Sequence, residues 1–126
     1  MLPNVLWTSV LWWLLAIISL SAHATEPRAV DVVLNNYTIK PDLLMIKAGE
    51  PIILKVKNAA TFIPHNLVIK STEAGIELKV VVGAGKSDEI RFTPTRPGSY
   101  EMFCDTQPPI GLSHKQKGMH GMLVVE

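Results

Sequence analysis

From residue 28 onward the chain alternates apolar and polar positions with a period of two. The stretch 52–58 shows it most plainly: Leu54 and Val56 fall on one side, Lys55 and Lys57 on the other. That period marks a strand with one face toward a core. Strands are predicted over 29–35, 43–47, 52–58, 65–70, 78–82, 87–92, 99–104 and 119–125, with Tyr37-x-Ile39-x-Pro41 placing two apolar side chains on one face. Ala48-Gly49-Glu50-Pro51, Gly83-Ala84-Gly85-Lys86 and the Pro- and Gly-containing stretch 93–98 separate them as corners. No stretch repeats apolar residues at helical spacing over enough length to predict a helix, and only a single helical turn fits 71–75 or the loop from Cys104 to His114. Seven or eight short strands with frequent Gly/Pro corners predict an all-β, antiparallel Greek-key sandwich or barrel.

The N-terminus departs from this pattern. Val5 to Leu20 is apolar except at Thr8, Ser9 and Ser19, and it ends in the small-x-small triplet Ala22-His23-Ala24. The run is short for a membrane span, which needs ~20 apolar residues. Residues 1–24 therefore read as a signal peptide and 25–126 as the single exported domain, periplasmic or otherwise outside the cytoplasm, with no membrane span once the signal is removed. No Lys or Arg precedes the apolar run, so an uncleaved anchor is the alternative reading. Every Lys, Arg, Asp and Glu lies after residue 25, and the net charge is +1. A balance so near neutral gives no support to nucleic-acid binding, which wants a basic face.

Export normally brings paired cysteines, but this chain has one, Cys104, so no internal disulfide forms. A lone thiol in an exported domain is buried and inert, paired with another chain, or reactive. The residues around Cys104 bear on that choice. His114 lies ten residues on and Met119 five beyond that, in the pattern C-x₉-H-x₄-M. Thiolate, imidazole and thioether are donors that copper favours, and one more imidazole completes a trigonal His₂Cys set with a weak axial Met. His65 opens a predicted strand, Cys104 closes one and Met119 opens the next, so a sandwich would carry all of them to one pole. His120 alternates away from Met119 and reads as solvent-facing, whereas Met102 and Met122 read as packing residues.

Together these motifs resemble the cupredoxins, the small blue-copper proteins, over essentially the whole exported domain. Gly49-Glu50-Pro51-Ile52 is similar to the turn that opens the family's third strand, and Pro64-His65-Asn66 to its first-ligand motif. Pro97-Gly98-Ser99-Tyr100-Glu101-Met102-Phe103-Cys104 is similar to the strand reaching the ligand cysteine, and the run from His114 to Gly121 to the H-x₄-M element. The resemblance implies one type 1 copper per chain, with His65, Cys104 and His114 equatorial and Met119 axial. It implies a Pro64 carbonyl approaching from the opposite side, and an Asn66 amide that ties the His65 loop to the Cys104 loop. The spacing from Cys104 to His114 is longer than in plastocyanin or azurin and nearer that of copper nitrite reductases, with Pro108-Pro109 restricting the loop. Asp105 stands where those two proteins carry Ser or Thr; a carboxylate that is ionised and points inward there favours Cu(II) and lowers the potential. Ile110 and Leu112 either fold back on the core or form an apolar collar around an exposed His114 edge, where a redox partner docks.

The flanks of Cys104, Phe103 and Asp105, offer no histidine to wire a second copper, and a single cysteine excludes a binuclear purple site. No Ser/His/Asp set or carboxylate pair suggests hydrolysis. The chain is thus expected to be no enzyme but a monomeric carrier of single electrons between redox proteins. The alternatives are a copper-holding protein for tolerance or delivery, and an accessory to a metal uptake system.

Overall fold

The computed structural model describes residue 19 and residues 21–126. The predicted signal segment falls almost wholly outside the described residues; residues 21–24, which include the expected cleavage triplet, are exposed and without regular structure. Nine strands follow: β1 (Arg28–Asn35), β2 (Thr38–Lys40), β3 (Leu43–Ile46), β4 (Ile52–Asn58), β5 (His65–Ser71), β6 (Ile76–Val82), β7 (Ser87–Phe92), β8 (Gly98–Phe103) and β9 (His120–Val125). They form two sheets, ordered β2-β1-β4-β7 and β3-β9-β8-β5-β6. The architecture is an all-β, Greek-key sandwich, with no helix longer than a single turn among the described residues.

The two sheets bury their alternating apolar faces against each other. Val32 and Leu34 of β1, Leu54 and Val56 of β4, Leu67 and Ile69 of β5, Met102 of β8 and Leu123 of β9 are all sealed from solvent in one cluster. Ile90 and Phe92 of β7 flank it, partly buried. In β5 the first five residues, His65 to Ile69, are all buried, because this strand lies between β6 and β8. Tyr100 anchors the corner before β8 by donating its hydroxyl to the Arg96 carbonyl at 2.7 Å.

Three features differ from the sequence expectation. There are nine strands, because Asn36 and Tyr37 form a turn that makes the three-residue β2 a separate strand. The sandwich is not purely antiparallel: β1 pairs with β4 and β3 with β9 in parallel. Periodicity fixes which face a residue takes but not which way its neighbour runs. Met122 points outward from β9 and is 38% exposed, so it is no core residue, whereas Met102 is fully buried.

At the start of β9, Gly121 lies directly against the backbone of Asp42. A Cβ there would sit 2.6 Å from the Asp42 carbonyl oxygen, and the next residue, Met122, donates its N–H to that same oxygen at 2.7 Å. Only glycine lets β9 begin this close to β3, and that fixes where Met119, two residues earlier, enters the sandwich.

Candidate metal centre

The strand directions bring four separate pieces of chain to one pole. His65 is the first residue of β5; Cys104 follows the last residue of β8 and Met119 precedes the first of β9. The Cys104 N–H donates to the Met119 carbonyl at 3.1 Å, so the two strand ends are joined just where the loop between them departs. His114 sits on that loop. Its N–H donates to the Thr106 carbonyl at 2.9 Å, and its own carbonyl accepts from Met119 N–H at 3.1 Å.

A single turn of helical backbone holds His114 in place. Lys117 N–H donates to the Ser113 carbonyl at 3.1 Å. The Ser113 hydroxyl accepts from Gln116 N–H at 3.2 Å, and the Gln116 side-chain carbonyl accepts from Ser113 N–H at 2.9 Å. This reciprocal pair is a capping box, which satisfies the free N–H groups at the start of a turn. Gly118, at φ +96°, ends the turn in a conformation that side chains disfavour and turns the chain into Met119. The helical turn thus lies just after the position considered in the loop, and the S-x-x-Q signature was its sequence signal.

His65, Cys104, His114 and Met119 are all buried. The two imidazoles face each other through Nδ1 at 3.1 Å. Cys104 Sγ lies 3.5 Å from His114 Nδ1 and 3.9 Å from His65 Nδ1. Three lone-pair-bearing atoms therefore point at one spot from which protein and solvent are excluded. Burial, and secondarily the charge of His114, pushes the His65 pKa down to about 4; burial, then Lys117, also lowers that of His114. Both rings are thus neutral at pH 7, the form that binds a metal. His65 Nε2 is buried and has no hydrogen-bond partner among the described residues. An unsatisfied buried polar atom costs about 1–3 kcal/mol. A cation bonded at Nδ1 would leave the ring proton on Nε2, so the metal does not itself satisfy that atom.

Around the sulfur, Asn66 N–H donates to Cys104 Sγ at 3.4 Å, and the Thr106 hydroxyl lies 3.3 Å from it. The Asn66 side chain bridges the two loops: its Nδ2 donates to Asp105 Oδ1 at 2.6 Å and to Thr106 Oγ1 at 3.3 Å, and its Oδ1 accepts from Asp105 N–H at 2.9 Å. Asp105 differs from the inward carboxylate considered above. Its carboxylate turns outward to Lys79, at 2.9 and 3.2 Å. The Lys79 hydrogen bond, opposed by burial and aided by Asn66, holds its pKa below the usual range, so the charge is present but already neutralised. The hydroxyl beside the sulfur comes instead from Thr106, one residue further on. Pro64 is exposed just before β5, and Ile110 and Leu112 are 91% and 55% exposed, so they do not fold onto the core. His114 is itself only 5% exposed, and the collar does not surround an open imidazole edge. The ring of Tyr37 covers it, packed edge-to-face at 5.1 Å from His114 and 6.2 Å from His65.

Asn58 carries no signal of its role in the sequence. It is fully buried at the end of β4 and holds the loop that delivers His65. Its Nδ2 donates to the carbonyls of Ile63 at 2.8 Å and Val82 at 3.0 Å, and its Oδ1 accepts from Ala60 N–H at 3.0 Å. Asn58→Leu leaves three backbone groups, two of them buried, without these partners and is expected to cost about 2–3 kcal/mol of unfolding free energy, measured as a lower urea midpoint.

The family described as Cupredoxin-like domain matches residues 8–125. The chain belongs to the cupredoxin-like family. No curated protein sequence matches this cupredoxin. Its fold is similar to dithionite-reduced auracyanin from the photosynthetic bacterium Roseiflexus castenholzii, with TM-score 0.65 and 22% identity over 78% of this chain and 96% of that one. It is similar also to auracyanin A, a blue copper protein of Chloroflexus aurantiacus, with TM-score 0.66 and 19% identity over 80% and 100% of the two chains. A multicopper oxidase shares the fold at TM-score 0.60 and 20% identity, over 79% of this chain but 42% of the oxidase. In this cupredoxin the converging imidazoles and thiol fit one type 1 copper ion by donor chemistry, with ligand atoms of all three residues within 4.8 Å of one another.

Proposed function

We propose that this cupredoxin is an exported carrier of single electrons, with one copper held by His65, Cys104, His114 and Met119. One observation carries the reading. Two imidazole Nδ1 atoms and one thiol converge at 3.1–3.9 Å in a buried site whose loops are tied together by backbone and Asn66 hydrogen bonds. Copper supplies the one-electron couple. The protein supplies a frame that does not rearrange when the metal changes charge, which keeps the transfer fast. Asn66 N–H donates to the sulfur, and the Thr106 hydroxyl, which accepts from the thiol in the metal-free protein, is placed to donate in turn to a thiolate. Burial keeps water from adding as a further ligand.

Exposed Ile110 and Leu112, with Phe62 at 88% exposure on the loop before His65, give the same pole apolar surface for brief contact with a redox partner. Export rests on the apolar leader and the exposed Ala22-His23-Ala24 triplet.

Loading the protein with Cu(II) tests the proposal. The expected result is an intense visible thiolate-to-copper band, compressed copper hyperfine splitting and a reversible one-electron couple. A colourless site, or one that holds only Cu(I), would replace electron transfer with copper storage or delivery.

A further inference from the structure

Tyr37 stands out on backbone grounds. It is the one non-glycine residue with positive φ among those described, at +63°. A side chain in that conformation costs of order 1 kcal/mol, which a glycine in the same turn would avoid. Its half-buried ring lies between the two imidazoles and solvent. On the outer side, Lys117 Nζ sits 4.3 Å from the ring centroid and 3.3 Å from the Tyr37 hydroxyl.

The charges around this ring are uneven. Asp105 is paired with Lys79 and Glu101 with Lys115. Lys117 has no carboxylate partner among the described residues. At the same pole, exposed Lys57 near the end of β4 and Lys86 in the turn before β7 also lack one. The two carboxylates nearest the site are thus paired, and the ammonium over its aromatic cover is not.

We propose that Tyr37 and Lys117 form the contact point for an anionic redox partner: the tyrosine ring is the group through which His114 meets the surface, and Lys117 selects a partner face rich in carboxylates. This rests on the electron-carrier reading. One electron crosses from donor to copper, or from copper to acceptor, and no bond forms or breaks. The ring offers close packing against His114, which is otherwise sealed. The ammonium lies where it attracts an incoming anion without being held by a carboxylate of its own chain. The backbone strain at residue 37 is then the cost of keeping a large aromatic side chain where the turn favours glycine.

Two measurements test this. The first uses protein without metal, so that it stands apart from the redox reading. The redox-inert paramagnetic anion hexacyanochromate(III) is added, and backbone amide signals are followed by nuclear magnetic resonance. Broadening is expected at residues 36–38 and 115–118, and Lys117→Gln should remove it. Broadening confined to other lysines, or unchanged in the variant, would overturn the proposal. The second uses copper-loaded protein with anionic hexacyanoferrate(III) and cationic hexaammineruthenium(III) as oxidants. At low salt Lys117→Gln should slow the first roughly fivefold and not slow the second, with the difference vanishing at high salt. Tyr37→Gly, which relieves the backbone, should lower the rates with both oxidants while the far-ultraviolet circular dichroism stays unchanged. Equal effects of Lys117→Gln on both oxidants, or wild-type rates in Tyr37→Gly, would also overturn it. If the wild-type protein shows no one-electron couple, the carrier reading fails, and the resonance experiment still decides whether this surface binds anions.

Discussion

Replacing Cys104 by serine is expected to abolish the intense visible band of the copper-loaded protein and to weaken copper binding by more than about 100-fold. The magnitude has a lower bound: losing a group that only supports a metal ligand already costs 10–100-fold in affinity. Removing the one anionic donor should exceed it. A thiol becomes an anion at a metal readily, from an ordinary pKa near 8.5, whereas a serine hydroxyl does not. Cys104 is fully buried, and oxygen is smaller than sulfur, so the change fits without strain. The new hydroxyl also retains polar neighbours, since Asn66 N–H and the Thr106 hydroxyl both face position 104. Loss of the band with an unchanged circular dichroism spectrum and urea midpoint would place the effect at the metal. A Cys104→Ser protein that keeps an intense band would remove the thiolate from the site, and with it the proposed ligand set.

The pole where this occurs was legible in the chain because His65, Cys104 and Met119 sit at strand ends. Alternation in 52–58 and 119–125 marks where strands stop, and a Greek-key sandwich then sends His65, Cys104 and Met119 the same way. The donor types added the chemistry. Features that depend on partners distant in sequence stayed hidden. Asn58 looks like an ordinary polar strand end until Ile63 and Val82 are seen to converge on its amide. Tyr37 reads as one member of an apolar pair with Ile39. Its positive φ and its place over two imidazoles exist only once the β1–β2 turn meets the loop of β8 and β9.

Asp105 shows the limit from the other side. Sequence places a carboxylate beside the ligand cysteine but cannot orient it. Orientation comes from Lys79, on an adjacent part of the same sheet, which turns the charge outward. The parallel pairings of β1 with β4 and β3 with β9 were hidden for a related reason. A strand's alternating pattern is the same read toward either neighbour, and direction is set by the path of the intervening chain.

The metal-free protein should lose stability between about pH 6.5 and pH 4, through its buried imidazoles. Burial, then the charge of His114, depresses the His65 pKa from 6.5 to about 4, and His114 shifts the same way through burial and Lys117. A depressed folded-state pKa means that the unfolded chain takes up the proton first. The stabilisation is therefore complete above the unfolded value and disappears as pH falls toward the folded one. For His65 the loss is on the order of 3 kcal/mol, from about 1.4 kcal/mol per pKa unit. The depressed carboxylates share this sign but act in a lower window. Glu50, lowered chiefly by its Arg28 hydrogen bond, and Asp105, lowered chiefly by Lys79, start from 4.5 and 3.8. Urea midpoints of metal-free protein at pH 7.5, 5.5 and 4.5 follow the imidazole window and a further one at about pH 3 the carboxylate window, with most of the His65 loss expected before pH 4.5. In His65→Leu the fall over that range should be much smaller, because the ring that resists protonation is gone. An undiminished slope in that variant would place the pH dependence on other groups.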